Sequence, residues 1–202
     1  VNQYSKKYPI IKGYEYKPKI GKGGAIIEGL KKAQGNLIGY VDADLATSPE
    51  AFYDLITKIN GYQGIIASRW MKGSIINKKQ PISRLVASRG FNFLVRLLLD
   101  LKYKDTQCGA KLFTKKAVDS VINELRTKYF SFDIDLLYNM KKNKLKIIEI
   151  PTTWHDQEKS TLVIRNTISN MFMALMRIRL YHSRFKFILD AYDQLKKSYF
   201  TK

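Results

Sequence analysis

Hydrophobic and polar positions along the chain follow two alternating periods. Residues 37–41 (Leu-Ile-Gly-Tyr-Val) are a short run rich in β-branched and aromatic side chains, which reads as a buried strand. Residues 64–68 and 146–150 are two further runs of this kind, the last closed by Pro151. Residues 10–16 alternate loosely and read as another strand. Between these runs the period lengthens to that of a helix. Residues 25–34 carry Ile26, Ile27 and Leu30, and Gly35-Asn36 stops them. Ser48-Pro49-Glu50 opens the next helix, with serine as N-cap and proline at the first helical position. That helix carries Phe52, Leu55, Ile56 and Ile59. Strand, helix, strand at this spacing predicts a parallel βαβ unit and an α/β fold.

The second half is less regular. Residues 18–24 are a glycine-rich turn, and residues 70–80 a basic loop. Residues 82–101 form a long helix carrying Arg84, Arg89 and Arg96, followed by a loop over 102–109. Residues 115–125 and 131–142 are helices, and 154–160 a polar turn. From residue 161 to 202 the chain is helical and amphipathic, with Ile164, Ile168, Met171, Leu175 and Ile178 at alternating spacings of four and three. This divides the chain into a domain over 1–160 and a tail over 161–202. The tail's stripe suits packing on its own domain or a partner subunit. It equally suits an interfacial helix whose Arg165, Arg177, Arg179, Arg184 and Lys186 meet anionic lipid.

Composition narrows the class. With 45% hydrophobic residues in 202, a sizeable core is expected and global disorder is not. The net charge of +19 calls for an anionic partner: nucleic acid, a lipid surface or a phosphorylated substrate. One cysteine, Cys108, excludes an intrachain disulfide, and two histidines leave little for a zinc site. Residues 1–7 lack the apolar core of a secretory leader, and no apolar run reaches the ~18–20 residues that span a bilayer.

The candidate chemistry starts at Asp42 and Asp44, where the 37–41 strand runs out. Ligands of open α/β sheets bind outside the carboxyl ends of the strands. Two carboxylates there suit Mg²⁺ or Mn²⁺ held together with substrate phosphates; a solvated surface turn has the same pattern. Lys22 and Gly23, in Gly21-Lys22-Gly23-Gly24, precede a helix N-terminus and can approach a phosphate, or simply make a tight turn. Arg69, at the end of the 64–68 strand, can grip a phosphate bidentately or form a surface ion pair. Arg84, Ser88 and Arg89 can bind a second phosphate or form a solvated helix face. Asp105 lies in a loop with Gln107 and Gly109 that reads as an active-site loop or a plain turn. Asp133 and Asp135, two apart on a helix, diverge by about 200°, so only one points readily into a cleft.

These segments resemble family 2 glycosyltransferases of the GT-A fold, and most of all the polyprenyl-phosphate (dolichyl-phosphate) glycosyltransferases. The resemblance is carried by Gly21-Lys22-Gly23-Gly24-Ala25, Asp42-Ala43-Asp44-Leu45, Ser68-Arg69, Arg84 with Ser88-Arg89, Asp105 through Phe113, Phe132 through Leu137, and Ile150-Pro151 with Trp154 and Ser160. The Gln107-Cys108-Gly109 and Phe132-Asp133 segments are closer to the dolichyl-phosphate β-glucosyltransferase branch than to the mannosyl branch.

The resemblance implies a Rossmann-like, mostly parallel sheet flanked by helices. It implies an inverting transfer of glucose or mannose from UDP-glucose or GDP-mannose to a polyprenyl phosphate at the cytoplasmic face of a membrane. Asp42 and Asp44 would hold the metal. Asp44, Asp105 and Asp135 would be catalytic, Lys22, Gly23, Asp42 and Arg69 would bind the donor, and Arg84, Ser88, Arg89, Lys159 and Ser160 the acceptor phosphate.

Three departures stand out. The family's opening βαβ unit with its donor-base pocket is not in this sequence. Ala46 stands where mannosyl relatives carry a glutamine ligand. Gln157-Glu158-Lys159-Ser160 replaces a stretch that usually has arginine or glycine before Ser-Lys. Two other readings are therefore carried: a non-catalytic or incomplete subunit of the same fold, alone or oligomeric, and a basic nucleic-acid-binding domain. Against the last, no nucleic-acid motif is present and the basic residues are spread along the chain; no nucleic-acid partner is expected.

Overall fold

The structure is a computed structural model that describes residues 2–77, 82–127, 129, 131–155 and 164–200. The elements are α1 (Asn2–Lys7), α2 (Gly21–Lys32), β1 (Leu37–Val41), α3 (Pro49–Lys58), β2 (Gly64–Ser68), β3 (Ile75–Ile76), α4 (Ile82–Leu99), β4 (Ala110–Thr114), α5 (Lys115–Val121), α6 (Phe132–Lys142), β5 (Ile147–Pro151), β6 (Thr153–Trp154), α7 (Ile164–Tyr181) and α8 (Lys186–Phe200).

The main sheet runs β1-β4-β2-β5. β2 and β5 are parallel neighbours, while β4 is antiparallel to both β1 and β2. β1, β2 and β5 therefore point the same way, as a βαβ reading requires. The sequence pattern predicts a parallel βαβ unit for β1 and β2 and no strand directly after the 102–109 loop; the structure inserts β4 between the two strands. The lysine in the middle of Ala110-Lys111-Leu112-Phe113 breaks the apolar run that would have marked a strand. Residues 10–16 form no strand, because no described strand lies beside them, and Ile10 is left 90% exposed. β3 and β6 make a two-stranded parallel ribbon, joined to the first sheet's rim by a bridge between Thr47 and Trp154.

Side chains alternate across the sheet. Ile65, Ala67, Ala110 and Leu112 face Leu55 and Ile59 of α3. Ile38, Ile66 and Phe113 face the larger core, built from Leu30 of α2, Val95 and Leu99 of α4, Val118 of α5 and Leu137 of α6. Leu175 and Ile178 of α7 are buried in this same core, so this part of the stripe packs on the chain's own sheet and helices. Beyond it, Phe172 and Met173 stay exposed.

Local sequence explains the entries into these elements. The Ser48 hydroxyl accepts from the Ala51 amide at 3.2 Å and caps α3, with Pro49 at its first position. Thr114 caps α5 in the same way. The expected glycine turn is instead the first turn of α2. Gly24 packs so closely on Ile20 that a Cβ would lie 3.0 Å from the isoleucine's own Cβ.

Candidate active site

Strand direction and register gather the site at one rim of the sheet. Val41 pairs with Ala110, and Ser68 with Pro151. The carboxyl ends of β1, β2 and β5 and the 105–109 loop that leads into β4 therefore meet. Asp42, Asp44, Arg69 and Asp105 all lie on this rim. The turn after β1 bends sharply: Leu45 adopts φ 59°, a left-handed conformation that a bulky residue rarely takes. Asp44 is exposed there, and its Oδ1 accepts from the Ala46 amide at 3.0 Å. The His155 amide donates to Ala46 O, tying β6 to the same turn.

Asp42 is held from two sides. Its amide donates to Gly109 O at 2.8 Å, and its carboxylate lies against the bare Cα of Gly109. A Cβ on Gly109 would come within 2.0 Å of Asp42 Oδ2, so only glycine fits. Lys22, in the first turn of α2, places Nζ 2.8 Å from Asp42 Oδ1 and 3.5 Å from Asp133 Oδ2. Burial opposes the charge on Lys22, but Asp133 and Asp42 outweigh it and hold the ammonium above its ordinary pKa. Gly23 is buried beside Lys22.

Under this pair lies a buried polar cluster. Lys111 on β4 and Asp133 on α6 are fully or almost fully buried and pair at 2.5 Å. Lys111 also donates to Cys108 O at 2.6 Å and lies over the Tyr40 ring. The Tyr40 hydroxyl donates to Asp133, and burial together with that carboxylate pushes the phenol well above its usual pKa. Neither Lys111 nor Tyr40 is among the residues that the sequence pattern marks as functional. The signal was present as a lysine and an aspartate, each set inside an apolar segment.

Three of the expected site residues take separate places in the structure. Of the two aspartates on α6, Asp133 joins the rim cluster and Asp135 does not. Asp135 Oδ2 accepts from the amides of Arg126 and Thr127, its Oδ1 from Asn139, and it lines a separate cavity of about 350 Å³ beside Arg177 and Tyr181. Asp105 is a clamp, since its carboxylate takes Arg69 Nε at 2.7 Å, Arg69 Nη2 at 3.0 Å and the amides of Arg69, Gln107 and Cys108. Arg69 correspondingly commits its fork to Asp105, walled by the rings of Trp70 and Trp154. Burial opposes both charges, yet each partner outweighs it: Asp105 is held below the usual carboxylate range and Arg69 above its ordinary value.

Of the residues expected to meet an acceptor phosphate, Arg89 reaches the Lys104 carbonyl and the face of Trp70, and Ser88 lies one residue before it on α4. Arg84 belongs to α4, but its side chain, like Lys159 and Ser160 altogether, lies outside the described residues.

The residues present fit a divalent cation of the kind that also binds phosphate. Asp44 is an exposed carboxylate with one amide bond, and Asp42 offers a second, already engaging a cation through Lys22. Among the described residues no cluster of three or more metal-binding side chains occurs. Substrate oxygens and water would complete the shell, as is usual for Mg²⁺.

The helix-flanked mixed sheet has the fold of GT-A glycosyltransferases. The chain belongs to glycosyl transferase family 2, whose family model matches residues 1–122. Among curated relatives, dolichyl-phosphate beta-glucosyltransferase of Homo sapiens is 34% identical over 155 residues, covering 71% of this chain and 46% of that protein. Dolichyl-phosphate beta-glucosyltransferase ALG5C of Trichomonas vaginalis is 30% identical over 188 residues, covering 90% and 55%. Glycosyltransferase AglD of Haloferax volcanii is 27% identical over 169 residues, covering 83% and 27%. The chain thus spans little more than half, or less, of these relatives. Among solved structures, glucosyl-3-phosphoglycerate synthase of Mycobacterium tuberculosis, crystallised with Mn²⁺, UDP and phosphoglyceric acid, is similar in fold. The TM-score is 0.57 at 14% identity, covering 87% of this chain and 57% of that one.

Two outcomes follow from the rim. Gly109→Ala drives a methyl group into Asp42 and is expected to cost about 1–3 kcal/mol, as overpacking does. Urea unfolding at wild-type stability with Asp42 unmoved in a structure of the variant would contradict this. Asp105 has a lowered folded pKa, so its stabilisation is present above the ordinary carboxylate pKa of ~3.9 and is lost as pH falls through its lower folded value. At neutral pH Asp105→Asn should lie about 3–5 kcal/mol below wild type, and the gap should narrow below about pH 4. A gap independent of pH in denaturant titrations would refute the pair's role.

Proposed function

We propose that the chain carries the catalytic rim of an inverting hexosyltransferase that moves glucose from a nucleotide diphosphate sugar to a polyprenyl phosphate. The observation that carries the reading is the placement of Asp42, Asp44 and Lys22 at one sheet rim, beside a helix N-terminus that favours phosphate. The names of the dolichyl-phosphate relatives support the lipid acceptor and favour glucose over mannose.

In this reaction an oxygen of the acceptor phosphate bonds to the anomeric carbon as the bond from that carbon to the diphosphate breaks. The nucleoside diphosphate leaves with the electron pair, and the anomeric centre inverts. A bound Mg²⁺ or Mn²⁺ would neutralise the charge that develops on the departing diphosphate. Asp44, with Asp42, would hold that ion, and Lys22 would meet the phosphates. The acceptor is already an anion, so no strong general base is required. Arg84, Ser88, Arg89, Lys159 and Ser160 are assigned to the acceptor phosphate on the family resemblance. The Arg69–Asp105 pair keeps the neighbouring loop in register.

A lipid acceptor calls for a membrane surface, and two faces suit one. The outward side of α4 exposes Ile82, Val86, Phe93 and Leu97 with Arg89 and Arg96, and α4 contains no acidic residue. The turn between α7 and α8 and the start of α8 expose Arg184, Phe185, Lys186, Phe187 and Ile188. Apolar side chains bordered by basic ones bind anionic interfaces. No helix among the described residues is long and apolar enough to cross a membrane.

The activity is tested by transfer of labelled glucose from UDP-glucose to polyprenyl phosphate, using the full-length protein. Asp44→Asn should lower turnover by about 100-fold or more, the scale of several kcal/mol of charge stabilisation. Unchanged turnover at saturating Mn²⁺ would remove the metal role. For the membrane, Arg184→Glu with Lys186→Glu should weaken sedimentation with phosphatidylserine vesicles. At about 1 kcal/mol per basic residue, losing the two positive charges alone is worth roughly 30-fold, and the new carboxylates add to that loss. Equal binding of variant and wild type would eliminate this face.

A further inference from the structure

Lys22 poses a problem for the proposed site. Its ammonium already sits on Asp42, one of the two carboxylates offered to a divalent ion, at 2.8 Å. At 3.5 Å it also meets Asp133, a buried carboxylate that faces away from solvent and pairs with Lys111. The lysine therefore stands between two acidic seats on a flexible four-carbon stem. The outer seat is one-third exposed and the inner one closed. A divalent ion and an ammonium repel strongly at ion-pair separations. With Lys22 on Oδ1, Asp42 has only Oδ2, packed against Gly109, to offer an ion, and the ammonium opposes any divalent ion placed there.

The geometry points to an exchange in which Lys22 neutralises Asp42 while the metal is absent, and turns onto Asp133 and the incoming diphosphate when the metal arrives. This inference rests on the nucleotide-sugar reading above. Asp133 is then a positioning residue. It touches no reacting atom, but it keeps Lys22 at the rim after Lys22 has left Asp42. Lys111 and Tyr40 in turn fix Asp133, by the lysine pair and by the phenol hydrogen bond. No covalent step is involved; one cation replaces another on a carboxylate, and the displaced ammonium keeps an anionic neighbour throughout.

The exchange predicts effects of opposite sign from one substitution. A lysine that only grips phosphate leaves binding of the metal alone unchanged, and a purely structural lysine shifts stability without separating the two ligands. Removing a competing cation instead tightens the metal and weakens the nucleotide.

The test is calorimetric titration of the full chain with Mn²⁺ alone, and then with UDP at saturating Mn²⁺. Lys22→Met should bind Mn²⁺ about tenfold more tightly than wild type, a change of ~1.4 kcal/mol, and bind UDP about tenfold more weakly. Asp133→Asn strands the buried Lys111, so the paired variant Lys111→Met with Asp133→Asn is used to remove both charges together. It should bind Mn²⁺ several-fold more weakly, because Lys22 is left with Asp42 alone, whereas Asp133→Glu with Lys111 intact keeps the inner carboxylate and should bind Mn²⁺ more nearly as wild type does. If wild type binds Mn²⁺ and UDP but Lys22→Met binds Mn²⁺ no more tightly, the exchange is wrong and the transferase reading stands. If neither protein binds Mn²⁺, the metal site fails and the exchange fails with it.

Discussion

Lys111 reaches Asp133 from the middle of a central strand, in a core where an unpaired charge is among the costliest things a protein can bury. Breaking such a pair by removing one partner costs about 3–5 kcal/mol, because the other charge is left without water or a counter-ion. The pair is satisfied on every side that the structure shows. Lys111 also donates to the Cys108 carbonyl, and Asp133 also accepts from Tyr40 and Lys22. It joins β4, α6, β1 and α2 at one point, and that point lies beneath the rim where Asp42 is held.

From this point the site's geometry follows by short steps. β4 is fixed against β1 in a register that sets Ala110 opposite Val41. That register puts Gly109 against Asp42, where any larger residue would displace the carboxylate. The loop leading into β4 is then held in place by Asp105, whose carboxylate pins Arg69 and three amides at once. The rim thus combines a rigid floor with one exposed carboxylate, Asp44, on a turn strained at Leu45. Rigid support under a few exposed ligands is what a site needs if its groups are to hold position while charge moves between them.

Much of this could be read from the chain. The apolar run ending in Asp42 and the capped helix at Ser48 announced a strand and a helix, and the family resemblance named the rim. What could not be read arose from tertiary context. A lysine in Ala110-Lys111-Leu112-Phe113 reads locally as a break, and becomes a strand residue only because Asp133 waits on another element. Asp133 and Asp135 look alike in sequence and are equally buried; the orientation of α6 alone sends one to the rim and the other to the 126–127 turn. Gly21, Gly23 and Gly24 disfavour helix by propensity, yet they open α2, where Gly24 packs closely on Ile20. The amphipathic stripe of α7 was visible, but its pattern suits the chain's own core, a partner subunit or a lipid surface alike, and only the packing of Leu175 and Ile178 decides among them.

The most direct measurement is a crystal structure of the full-length protein with Mn²⁺ and UDP. The account predicts anomalous density for the ion against Asp44, the diphosphate beside the start of α2, and Lys22 displaced from Asp42 toward Asp133. An ion bound away from this rim, or a diphosphate on another face of the sheet, would contradict it.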